Sequence, residues 1–94
     1  MRQLLTQEEY LAIEQKAINL AKFGKKSTHM NELNKFKSHC NNLKLNLPGN
    51  VSYMLSELCS EIKSAWGRDR EHWLYFVNQT LYKIKSYGVE RDLA

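Results

Sequence analysis

Apolar side chains recur along this chain at steps of three and four. The steadiest run is Val51, Met54, Leu55, Leu58, Cys59, Ile62, Ala65 and Trp66. A second run, Trp73, Phe76, Val77, Leu81, Ile84 and Tyr87, follows after a short break. At roughly 100° per residue, each set falls on one side of a helix. Gly67 stands where a left-handed C′ residue would end the first helix, and Asp69 where a side chain would cap the next. So short a connection predicts antiparallel neighbours, over 51–66 and 70–87.

Upstream, Thr6-x-x-Glu9 reads as a capping box, with Leu5 placed to pack on Tyr10 as a hydrophobic staple. Tyr10, Ile13, Ala17 and Leu20 then mark one facet of a helix over 7–23, and Leu11 and Ile18 mark a second, with a stop at Gly24. Two apolar facets imply two neighbours, both within the molecule or one of them across a dimer. Met30, Leu33, Phe36, Cys40 and Leu43 give a narrower stripe, a helix over 29–44 with Ser27 or Thr28 as its N-cap. In the connector that follows, Leu45 and Leu47 are expected to tuck into the core, Pro48-Gly49 to turn, and Asn50 to cap the next helix. The pattern predicts an all-α fold: a compact antiparallel bundle of about four helices. It forms a single helical domain over 1–94, with a short charged tail, 89–94, that is expected to fray.

Composition agrees. One proline and four glycines leave few breaks, and 43% apolar with 26% charged residues is an ordinary globular balance. No apolar run approaches the length of a membrane-spanning helix, and the first residues lack the apolar core of a secretory signal, so a cytoplasmic location is expected. Cys40 and Cys59 lie on apolar faces and are expected to be buried thiols. His29, His39 and His72 are scattered. His39 adjoins Cys40, but neighbours on a helix point about 100° apart, so no metal site is expected.

Charge changes the picture in one segment. Residues 1–15 carry net −2, residues 16–44 net +6 through seven lysines and Glu32, and the remainder is neutral. Such a patch meets phosphates by charge attraction and counterion release. A degenerate helix-turn-helix falls on the same basic, Asn-rich stretch, 22–44, with Gly24 as the turn glycine. Lys25, Lys26, Ser27, Thr28, His29, Asn31, Asn34 and Lys35 would then approach phosphates or base edges. Leu20 and Lys25 depart from that pattern, at positions where a small and an apolar residue are usual.

Catalytic patterns are absent. The four glycines are isolated, Glu57 and Glu61 fall on a polar helix face and need only be solvated, and no nucleophile is paired with a base. The chain reads as a non-enzyme without cofactor or small-molecule substrate. Helix 70–87 does carry something its core stripe does not use. Tyr75 and Tyr82 project directly away from that stripe, one above the other, with Gln79 and Ser86 beside them. On helix 51–66, Tyr53 holds the corresponding outer side with Ser56, Ser60 and Ser64. Tyrosines outside a core are enriched at interfaces, where a large apolar ring and a polar tip both serve. Two readings follow. The favoured one is a small regulatory interaction protein that binds another protein, with a homodimer included, through Tyr53, Tyr75, Gln79 and Tyr82 and the second facet of the first helix. The alternative is nucleic-acid binding through the basic segment.

Overall fold

The structure, a computed structural model, describes residues 2–91. Its helices are α1 (Gln7–Phe23), α2 (Lys26–Lys44), α3 (Gly49–Ala65) and α4 (Arg70–Tyr87). The all-α bundle follows the predicted pattern closely, and the helix starts show why. At α1 the capping box forms: Glu9 N–H donates to Thr6 Oγ1 at 3.1 Å, and Thr6 N–H to Glu9 Oε1 at 2.9 Å. Arg2 adds a two-pronged bond to the same carboxylate (2.8 and 2.7 Å), and its guanidinium leads the interactions that hold Glu9 below the usual carboxylate range. At α4 the Asp69 carboxylate accepts His72 N–H at 3.2 Å, as expected.

Three other helix ends depart from expectation. Neither Ser27 nor Thr28 caps α2. The helix starts earlier, after Lys25, because His29 reaches back and its Nδ1 accepts the Lys25 N–H at 3.1 Å. Asn50 lies inside α3, whose N-cap is Pro48; proline fixes the extended entry and has no N–H to satisfy. Gly67 is not left-handed, since no described residue has a positive φ. Tight i→i−3 bonds close α3 instead, Trp66 N–H to Lys63 O and Gly67 N–H to Ser64 O.

Consecutive helices run antiparallel, as the bonded pairs show: Lys16 with Glu32, Lys44 with Ser56, Glu61 with Thr80, and Tyr10 with Leu81 across the closing seam. The α3–α4 contact is the most extensive, α1 packs on both α4 and α3, α2 leans on α3, and α1 and α2 touch least. Ile13, Ala17, Leu33, Leu55, Leu58, Ile62, Val77 and Ile84 form the centre of the core. Three predicted core positions fall outside it. Phe76 and Tyr87 are exposed, and on the side of α4 facing α3 it is Thr80 that is buried, its hydroxyl donating to the half-buried Glu61 at 2.5 Å. Leu45 is exposed in the connector, while Leu47 is buried as expected.

Both ends of the bundle are tied. At one, the Trp66 indole N–H donates to Leu20 O at 2.7 Å, and Arg70 donates to Ala21 O and Gly24 O at 2.7 and 2.8 Å. The hairpin thereby supplies donors to carbonyls at the end of α1, Leu20 O accepting the indole in addition to Gly24 N–H. At the other, Leu5 and Val89 make a single parallel bridge: Leu5 N–H to Gly88 O at 2.7 Å, and Glu90 N–H to Leu5 O at 2.8 Å. Val89 is buried, so the start of the expected frayed tail is anchored; residues 92–94 lie outside the described part.

Candidate functional site

A groove follows the seam between α1 and α4. It consists of two adjoining recesses of about 310 and 220 Å³ that share Tyr10, Glu14 and Lys85. Leu11 lines the first, beside Gln7 and the Val89–Arg91 segment; Ile18, Asn78 and Tyr82 line the second. Leu11 is 52% exposed and Tyr82 68%, so substantial apolar surface faces outward along this line. The floor is rigid. Tyr10 is buried, its hydroxyl donates to Glu14 at 2.6 Å and lies 3.3 Å from Leu81 O. Burial and the Glu14 carboxylate push the phenol above its ordinary range, which keeps it a hydrogen-bond donor. Glu14 and Lys85 offer opposite charges at the middle of the groove. The arrangement suits an apolar segment with polar flanks; it pairs no nucleophile with a base.

The tyrosines expected to act together are divided among three settings. Tyr82 joins this groove. Tyr75, 60% exposed, packs edge-on against Phe76, which in turn meets His72 and Trp73 in a surface cluster at the start of α4. Gln79 is exposed between them on the outer side of α4. Tyr53, 65% exposed, is on α3 and pairs with Glu57, whose carboxylate raises its phenol pKa. The serines do not accompany it: Ser56 and Ser60 turn toward α2 and Ser64 is half-buried. What the structure brings together is Tyr82 with Leu11 and Ile18, the second facet of the first helix. The sequence reading missed Tyr10, Glu14 and Lys85 as shared lining. The Tyr10–Glu14 spacing of one turn was the available signal.

In the basic segment, Lys25, Lys26, Ser27, Thr28, Asn31, Asn34 and Lys35 are exposed, and His29 is half-buried. The two helices expected to make the helix-turn-helix lie side by side, so that Ala12 and Lys16 share a recess with Lys35, Phe36 and His39. The link is only Gly24 and Lys25, both extended. Gly24 is needed for a different reason: a Cβ there would stand 2.5 Å from Trp66 Nε1 and 2.4 Å from Leu20 O.

Among the described residues, no three His, Cys, Asp or Glu side chains converge to hold a metal, and no helix is long and apolar enough to cross a membrane. Comparison with family models, curated proteins and solved structures finds no match to this chain.

Proposed function

We propose that the chain is a small, non-catalytic, cytoplasmic regulatory protein that works by binding another protein in the α1–α4 groove. The observation that carries this reading is the convergence of Leu11, Ile18 and Tyr82, from two helices, on one groove with a fixed polar floor. An amphipathic helix would place its apolar face on Leu11 and Tyr82 and its charges against Glu14 and Lys85. A second copy of the chain is one such partner. The test places a photo-crosslinking side chain at position 82 and another at position 68, on the exposed α3–α4 turn. A nuclease-insensitive protein adduct from position 82 alone is expected, and Leu11→Ser should remove it. Adducts from both positions, or from neither, would sink the reading.

Nucleic acid is the second reading, favoured by Lys26 and Lys35 standing exposed on one basic helix with Lys25 exposed at its N-cap. It requires duplex binding that weakens steeply with salt and falls when these three become Gln. A flat salt dependence removes it.

A further inference from the structure

Away from the α1–α4 groove, α2 and α3 flank an open recess of about 330 Å³. Lys37 and Lys44 reach it from α2 and Lys63 from α3, beside the hydroxyls of Ser56 and Ser60 and the Asn41 amide. Lys44 is held in place, its Nζ donating to Ser56 Oγ at 2.7 Å. No Asp or Glu lines the recess. The ion pairs among the described residues are Arg2–Glu9 and Lys16–Glu32, so these three cations share the recess without a carboxylate. Like charges that line one recess repel, and an anion between them relieves the repulsion. The surrounding hydroxyl and amide groups supply further donors for a tetrahedral oxyanion.

We propose that this recess binds a phosphate group, either the free dianion or the terminal group of a small phosphomonoester. Three cations lining one recess without a carboxylate suit a doubly charged group. A nucleic-acid strand spreads single charges about 3.4 Å apart along the helix axis and would want a ridge instead. A thiol in the wall of the recess feels the same lysines. Cys59 lies there, and its thiol is pushed down by the proton that the facing Cys40 thiol donates, then by Lys44 and Lys37, against the opposing effect of burial. Sequence alone hid this site because Lys63 is 19 and 26 residues from Lys44 and Lys37.

The experiment titrates the full chain with inorganic phosphate at constant ionic strength and follows backbone amide shifts. Saturable shifts confined to Asn41, Lys44, Ser56, Ser60 and Lys63 are expected. The double variant Lys44→Gln/Lys63→Gln should weaken binding about tenfold. Lys25→Gln/Lys26→Gln removes equal charge at the other end of α2 and should leave binding unchanged. Equal losses in both variants, or non-saturating shifts at every lysine, would overturn the site. Phosphate should also slow carboxymethylation of Cys59 by iodoacetate, in which the thiolate displaces iodide; absence of protection counts against the proposal even if a variant folds poorly. Adenosine 5′-monophosphate separates the sources: the same shifts at lower concentration assign a monoester, and at higher concentration the free anion. Displacement of phosphate by a duplex oligonucleotide at lower concentration than by the monophosphate would overturn the compact-ligand assignment.

Discussion

Helices α1, α3 and α4 hold one another by bonds from side chains on one helix to polar groups on the next. Trp66 and Arg70 close the end of α1, Tyr10 reaches α4, and Thr80 on α4 bonds Glu61 on α3. Helix α2 has fewer such ties, chiefly the exposed bond from Lys44 Nζ to Ser56 Oγ on α3. It buries only Leu33, Phe36 and Cys40, where α3 buries six residues, and its ion pair to α1, Lys16–Glu32, is exposed and worth little. The positive charge of the chain also concentrates on α2. Three helices therefore form a fixed frame that shapes the α1–α4 groove, and the fourth is a basic helix resting on α3 by a narrow apolar stripe. In such an arrangement α2 opens at a lower free energy than the frame does.

Truncation of one buried residue on each side gives the largest effect. Ile84 and Leu33 are both fully buried. Each substitution to Ala should cost about 2–5 kcal/mol in denaturant unfolding, with Ile84→Ala the more costly because α4 packs on two frame helices. Hydrogen exchange then tells the regions apart. Leu33→Ala should speed exchange in α2 ahead of the frame, while Ile84→Ala should speed all four helices together. Equal acceleration everywhere in Leu33→Ala would mean the molecule opens as one unit.

The frame was legible in the sequence because its signals are local. The Thr6–Glu9 box, the Asp69 cap and the three-and-four spacing of Val51 to Ile84 each act within a few residues. What was not legible depends on distant partners. Nothing near Trp66 says that its indole will meet Leu20 O, 46 residues away. Nothing near Glu61 says that Thr80 will draw it out of solvent. The surroundings of the tyrosines were hidden for the same reason: helical projection places a residue on its own helix and is silent about which neighbour stands beside it. Leu11 and Ile18 were recognised as a second facet. That Tyr82 would face them depended on how α1 and α4 came to lie together.

Gly24 and Gly49 sharpen the comparison at the next level of effect. A Cβ at Gly24 would collide with Leu20 O and the Trp66 ring, whereas at Gly49 it would meet nothing within 4 Å. Gly24→Ala should therefore destabilise by about 1–3 kcal/mol, by forcing Trp66 off the end of α1. Gly49→Ala, at the first residue of a helix, should stabilise by about 0.4–1 kcal/mol through the unfolded chain. Melting curves of the two variants should move in opposite directions. If Gly24→Ala melts like the parent chain, the Trp66 contact does not hold the frame.

The smallest effect concerns two carboxylates of the frame whose surroundings act in opposite senses. Glu9 is held below its ordinary pKa, chiefly by the Arg2 bond, so its contribution to stability is present above about pH 4.5 and is lost as pH falls through its folded value. Glu61 is raised, chiefly by desolvation against α4, with the Thr80 bond opposing the rise. The folded protein therefore binds the Glu61 proton more tightly than the unfolded chain. Its contribution is greatest below the unfolded pKa and is lost as pH rises through the folded one. Replacing Glu61 by Gln keeps an oxygen for the Thr80 hydroxyl and removes the half-buried charge. Glu61→Gln should stabilise at pH 7 by about a few tenths of a kcal/mol, since solvent screens much of the cost, and the gain should vanish by pH 4. Glu9→Gln should do the reverse: a loss at pH 7 that shrinks as the medium is acidified. Parallel pH profiles for the two variants would show that the α3–α4 seam does not desolvate Glu61, and would leave Thr80 as the only tie between those helices at that level.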